Sequence, residues 1–157
     1  MHAKHTEFAG EPSLAVKTLL ETEAAAGLHT FEGHLGFADE VFTIKRDLLT
    51  FLMQARAEGK RVVGYGAPGK GNTLLNHCGI REDLLEYTVD RSPHKQGMFL
   101  PGTHIPIHAP ERIAADRPDY VLVLPWNLRT EISAQLSYVK DWGGKLVYPI
   151  PVLEVEG

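Results

Sequence analysis

The chain has 157 residues, 43% of them hydrophobic, with 16 Lys and Arg against 20 Asp and Glu for a net charge of −4. That charge balance, with no clustered basic face, excludes a general nucleic-acid binder, whose affinity comes from cations placed on phosphates. A chain of this length suits one domain burying about 68–70% of its unfolded surface. Cys78 is the single cysteine, so no intrachain disulfide or Cys-rich zinc site can form, and a reducing compartment is the natural setting. The opening MHAKHTEFAG lacks the apolar run of a signal peptide and no stretch approaches a membrane span, so a cytoplasmic protein with no membrane partner is expected.

Residues 1–12 read as a flexible segment. Ser13 to Ala26 reads as a helix, with Ser13 as its cap, Leu14, Leu19 and Leu20 as apolar contacts and Gly27 as its end. Asp39 to Ala57 gives a second helix. Its Val41, Ile44, Leu48, Leu52 and Ala55 recur at three- and four-residue spacing, so one face must pack on something, and Gly59 terminates it. From Arg61 strands alternate with helices: Val62 to Tyr65, Asn72 to Cys78, Leu85 to Val89, Ala109 to Ala115, Tyr120 to Leu124, Leu128 to Lys140 and Lys145 to Tyr148. Short apolar strands separated by helices predict a parallel sheet covered on both faces. The expected fold is therefore α/β: a Rossmann-like, mostly parallel sheet preceded by an N-terminal helical segment. Residues 13–157 form its single domain, with a helical lead-in over 13–58 and an α/β core over 60–150.

The core opens on RVVGYGAPGKGNT, Arg61 to Thr73, an apolar strand running through a glycine-rich turn into a helix-compatible stretch. Gly64, Gly66 and Gly69 satisfy G-x-G-x-x-G in the strand-to-helix context that gives the motif meaning. Glycine suits such a turn because positive φ and close approach of backbone N–H groups to an anion leave no room for a Cβ. Gly64, Gly69 and Lys70 also fit G-x-x-x-x-G-K, but Gly71 stands where a phosphate-binding loop needs a hydroxyl for Mg²⁺, and Pro68 donates no N–H. A dinucleotide-like cradle spanning Gly64, Tyr65, Gly66, Gly69, Lys70, Gly71 and Asn72 is thus preferred to an NTPase loop. The blander alternative is a tight turn that binds nothing.

Ligands of such folds sit outside the carboxyl ends of the strands, where strand order reverses. Asp90 ends the second strand about 20 residues past the third glycine, the position of a ribose-binding acid. It can equally be a solvated turn residue that Arg91 neutralises. After the fourth strand, Trp126 can stack on a base or fill core, and Asn127 can bond a ligand or cap the next helix. The Pro-, Gly- and His-rich run from Arg91 to His108 reads as a long functional loop. Its His94, His104 and His108 lack a carboxylate at ligand spacing, so no metal is expected, although alternation puts His104 and His108 on one face. His34 and His77 each stand alone. No Ser/His/Asp, Cys/His or paired-carboxylate arrangement appears, so the catalytic residues are unknown and the chain reads as a binder without chemistry of its own.

The blocks GYGAPGKGNT, KQGMFLPGTHIPI and PWNLRTEI, in collinear order between Val16 and Val155, resemble the C-terminal domain of sugar C-methyltransferases dependent on S-adenosylmethionine. The resemblance implies a Rossmann-like domain closing over a nucleotide-linked sugar, with Tyr65 to Asn72 and the Gln96 to Ile107 loop facing the shared cleft. It also implies that Lys70 and the glycine-loop amides meet a diphosphate, with Trp126 and Asn127 on the same edge. In the family, a base removes the proton beside a ketone and the enolate takes the methyl group. The base and the methyl donor belong to a central domain, which follows a zinc-binding segment; neither is recognisable here. The expected partner is therefore a methyl-donor-binding catalytic domain in cis or trans, and the chain alone is expected to be inactive and to bind no cofactor. The alternative is an independent NAD-type module with Asp90 on the adenosine ribose. A third possibility is a degenerate fold kept for assembly through the Asp39 to Ala57 helix.

Overall fold

The computed structural model describes residues 10–157; the expectation of a flexible segment over 1–12 falls mostly on residues 1–9, which lie outside the described residues. The chain forms two compact units, one ending at Glu40 and the other spanning Val41–Gly157. In the first, helix α1 (Leu14–Ala25) starts where the sequence indicates, and Ser13 Oγ accepts the N–H of Val16 at 3.4 Å. Among the described residues its expected apolar contacts do not form: Leu14, Leu19 and Leu20 are exposed and α1 buries no residue. Leucines close in sequence make a helix locally favourable, but burial needs a partner, and the described part of this unit supplies none. Helix α2 (Phe37–Ala57) begins two residues earlier than expected and buries Leu48, Leu52 and Ala55 from the predicted stripe.

The second unit is built on a six-stranded sheet. Its strands are β1 (Val62–Tyr65), β2 (Thr88–Val89), β3 (Ile107–His108), β4 (Tyr120–Val123), β5 (Lys145–Tyr148) and β6 (Glu154–Glu156), in the order β3-β2-β1-β4-β5-β6. The first five run parallel and β6 pairs antiparallel to β5. Helices α3 (Gly69–Cys78), α4 (Glu111–Asp116) and α5 (Arg129–Gln135) join them. Alternate side chains of β1, β4 and β5 enter opposite cores. Val62 and Leu122 join Leu48, Leu52, Leu74 and Leu75 on the α2 and α3 side. Val63, Val121 and Val123 join Ile113, Ile132 and Leu136 on the α4 and α5 side. Both faces are covered, which is why β1 and β4 read as unbroken apolar runs.

Several boundaries differ from expectation for local reasons. The Leu85 to Val89 run is a regular strand only over Thr88–Val89, although the Glu86 N–H and the Tyr87 carbonyl also bond to β1. The helix expected over Leu128 to Lys140 is broken: α5 ends at Gln135, and a 3₁₀ turn over Ser137–Trp142 stops at Gly143, whose φ of 79° closes the cap. Helix α3 starts at Gly69, not Asn72, so the glycine turn supplies the helix's own first turn. The edge strand β6 has no apolar run, but Arg129 of α5 reaches Glu154 at 2.6 Å and Glu156 at 3.4 Å. No described helix is long and apolar enough to cross a membrane.

Candidate functional site at the carboxyl edge of the sheet

Strand order reverses between β1 and β4, and the crevice beyond their carboxyl ends is where a doubly wound sheet offers room for a ligand. The glycine turn after β1 meets Pro125 after β4 there. Gly66 has φ of +87°, and a Cβ on it would lie 2.7 Å from Pro125 Cδ, so both conformation and space demand glycine. The sequence expectation of positive φ holds for Gly66 but not for Gly64, Gly69 or Gly71. Gly64 lies within β1, where the Thr88 side chain fills the space a Cβ would need, and Thr88 Oγ1 donates to the Gly66 carbonyl at 2.7 Å. Gly71 lets α3 lie against the end of β4: a Cβ there would be 2.7 Å from Leu124 Cβ. Gly69 has open space around it.

The amides of this turn are unevenly used. Gly66 N–H bonds the Val89 carbonyl at 2.6 Å, and Asn72 N–H bonds the Pro68 carbonyl at 3.0 Å. Ala67 N–H bonds Asp90 Oδ2 at 2.7 Å. The N–H groups of Gly69, Lys70 and Gly71 have no acceptor among the described residues, because Pro68 at the cap offers no side-chain oxygen and the first turn of α3 carries no acid. Three aligned free donors at the positive end of a helix favour an anion.

Lys70 stands beside them. Its Nζ lies 4.5 Å from the centroid of the Trp126 ring and donates to Asn127 Oδ1. The two residues after Pro125 are therefore brought to the start of α3, and Asn127 makes no cap for the following helix. Trp126 is half-buried and also packs against both cores. Asn72 turns away: its Oδ1 accepts from Asn76 Nδ2 at 3.3 Å, and Asn76 in turn bonds the Pro101 carbonyl at 3.0 Å. Tyr65, almost fully buried, donates its hydroxyl to Gln135 Oε1 at 2.8 Å.

Asp90 does not stand free for a ribose. Its Oδ1 accepts the Ser92 N–H at 2.8 Å, and its Oδ2 takes the Ala67 N–H and, at 3.1 Å, Lys95 Nζ. Lys95, not Arg91, neutralises it; Arg91 lies 3.9 Å from Glu131. Burial pushes the Asp90 carboxyl up, but the Ser92 and Ala67 amides and Lys95 outweigh it, and the pKa falls below the usual aspartate value of 3.8. A carboxyl lowered by folding stabilises the protein above its unfolded pKa, and that contribution is lost as pH falls through the folded value. Urea-unfolding midpoints of the wild type and Asp90→Asn should therefore differ at pH 6 and converge below pH about 3.8. A gap that stays constant would deny the carboxylate this role.

Clefts near the turn take in five of the predicted residues, Tyr65, Gly66, Asp90, Lys70 and Trp126. One of about 490 Å³ is lined by Tyr65, Arg91, Gln96, Gln135 and Tyr138, and a smaller hollow of about 150 Å³ reaches Gly66, Asp90 and Pro125. The other, of about 430 Å³ and mostly apolar, lies between Val41, Ile44, Lys70, Leu74, His77 and Trp126. Sequence reasoning misses Gln135, Glu131 and Lys95: Gln135 meets Tyr65 and Glu131 meets Arg91 across gaps that no spacing rule encodes, and Lys95 reaches Asp90 and Ala67 from an irregular loop without periodicity. The expected alternation of His104 and His108 fails: His104 has φ of +58° in a turn, and His108 lies on β3, with Nε2 2.6 Å from Arg112 and its ring edge-on to Tyr87. No three metal-ligating side chains gather among the described residues.

Strand order, the glycine turn at the reversal and free amides beyond it define a Rossmann-like α/β domain. The chain belongs to the C-methyltransferase C-terminal domain family, whose model matches residues 1–151. It is 36% identical over 137 residues to the C-methyltransferase NovU of Streptomyces niveus, covering 87% of this chain and 33% of that protein. The chain thus spans about a third of the length of that relative. Among solved structures, UDP-D-quinovosamine 4-dehydrogenase from Vibrio fischeri is similar with a TM-score of 0.43 and 19% identity, over 59% of this chain and 79% of that one.

Proposed function

We propose that the domain binds a nucleotide-linked sugar and closes over it in a sugar C-methyltransferase, with the diphosphate on the free amides of Gly69, Lys70 and Gly71. The observation that carries this reading is the set of three unpaired donors beside a lysine that stacks on Trp126, at the point where strand order reverses. The amides and Lys70 fix an anion, and Trp126 and Asn127 line the edge along which the rest of the nucleotide-sugar lies. S-adenosylmethionine supplies the methyl group in the complete enzyme, held by a methyl-donor-binding domain in cis or trans. This domain orients the acceptor and helps exclude water, and none of its residues is assigned to the donor or to the base. A buried, free Cys78 thiol suits a cytoplasmic setting.

The NAD-type alternative is disfavoured by Asp90, whose oxygens are already taken by Ala67, Ser92 and Lys95. Calorimetric titration separates the two: dTDP should bind the chain, and NADH held only through its diphosphate should bind equally well to Asp90→Asn. Binding of NADH that disappears in Asp90→Asn would transfer the assignment to the dinucleotide reading.

A further inference from the structure

Lys95 comes from the irregular segment between β2 and β3, and nothing in its spacing marks it. Its Nζ donates to the Ala67 carbonyl at 3.0 Å and to Asp90 Oδ2 at 3.1 Å. Asp90 Oδ2 accepts the Ala67 N–H at 2.7 Å, so one ammonium and one carboxylate hold both polar groups of the residue at the centre of the turn. The same segment is fixed behind them: Gln96 Nε2 donates to the Asp90 carbonyl at 2.9 Å, and Gly97 N–H to the Ile107 carbonyl at 2.8 Å.

This clasp carries an electrostatic consequence. Asp90 binds the turn through Ala67, two residues before Gly69, and its side chain is only 14% exposed. A carboxylate there, left alone and poorly solvated, would repel any anion approaching the free amides of α3. Lys95 places a positive charge on the same oxygen and removes that repulsion. We infer that Lys95 is a positioning residue of the carboxyl-edge site: it clasps the Gly66–Pro68 turn and cancels the charge of Asp90, so that the free amides of α3 receive an anion. The charge-cancelling half rests on the proposed function above, and the clasp does not.

The test uses Lys95→Met, Lys95→Arg and the double variant Asp90→Ala/Lys95→Met in the full chain, with two readouts. Amide exchange at Ala67 without ligand reports the clasp, and calorimetry with dTDP reports the anion. Lys95→Met should speed Ala67 exchange and weaken dTDP binding about tenfold. Lys95→Arg should stay near the wild type in both. The double variant should bind dTDP at least about threefold more tightly than Lys95→Met, because the repelling carboxylate is gone even though the clasp is too. A purely structural ion pair would not give that recovery, so a double variant no better than Lys95→Met overturns the charge-cancelling role. Unchanged Ala67 exchange in Lys95→Met overturns the clasp. A wild type that fails to bind dTDP counts against the proposed function, and with it the charge-cancelling role, while faster Ala67 exchange in Lys95→Met would still support the clasp.

Discussion

Gly71→Ala is expected to destabilise the protein by about 1–3 kcal/mol, the usual cost of forcing a methyl group into a filled core. The added Cβ would sit 2.7 Å from Leu124 Cβ and 3.3 Å from Pro68 Cγ. Neither neighbour is the free end of a flexible side chain, and Leu124 is fully buried at the end of β4. Helix α3 would have to move off the sheet, taking the amides of its first turn with it. Thermal unfolding should show a Tm lower by roughly 2–12 °C, and the same variant should bind dTDP more weakly. Gly69→Ala provides the contrast. That position has ordinary φ and open space, so alanine there should leave Tm nearly unchanged. Equal losses in the two variants would mean that the G-x-G-x-x-G spacing, and not the packing at Gly71, sets the requirement.

Lys70→Glu should lower affinity for dTDP about a hundredfold or more, because it replaces a cation beside the proposed diphosphate with an anion. The fold should tolerate the change. Lys70 is exposed, its stacking over Trp126 is worth only about 0.5–1 kcal/mol at such a site, and a glutamate in the first turn of a helix is favourable. Binding and stability therefore separate in this one variant: calorimetry should show the loss while the Tm moves by no more than a few degrees. Unchanged affinity would remove Lys70 from the site, and a collapse of Tm would make it a structural residue.

What the sequence discloses follows from which forces leave a periodic trace. The bounds of β1 and β5 are legible because each is a short apolar run buried on both faces, and the Leu48–Leu52–Ala55 stripe of α2 is legible because it meets α3 and the sheet. The same logic fails for α1, where Leu14, Leu19 and Leu20 form the local pattern without a partner among the described residues to bury them. Pairs as short as β2 and β3 fall below the length at which alternation shows. At the site, the glycine turn, Lys70, Trp126 and Asn127 were visible as residue types at a strand end, and the structure brings the last three together. Asp90 was visible by position only. Its engagement with Ala67 and Lys95 depends on backbone and loop geometry, and a spacing rule borrowed from dinucleotide folds points it at a ligand instead. Gly71, outside the G-x-G-x-x-G triplet, provides the close helix-to-strand approach that the third glycine of that motif usually supplies.

The most direct measurement is an amide-resolved NMR titration of the chain with dTDP, with NADH and S-adenosylhomocysteine in parallel. The account predicts shifts at Gly69, Lys70 and Gly71 with dTDP, none there with S-adenosylhomocysteine, and none centred on Asp90 with NADH. Shifts with NADH centred on Asp90, or dTDP shifts that avoid the first turn of α3, would contradict it.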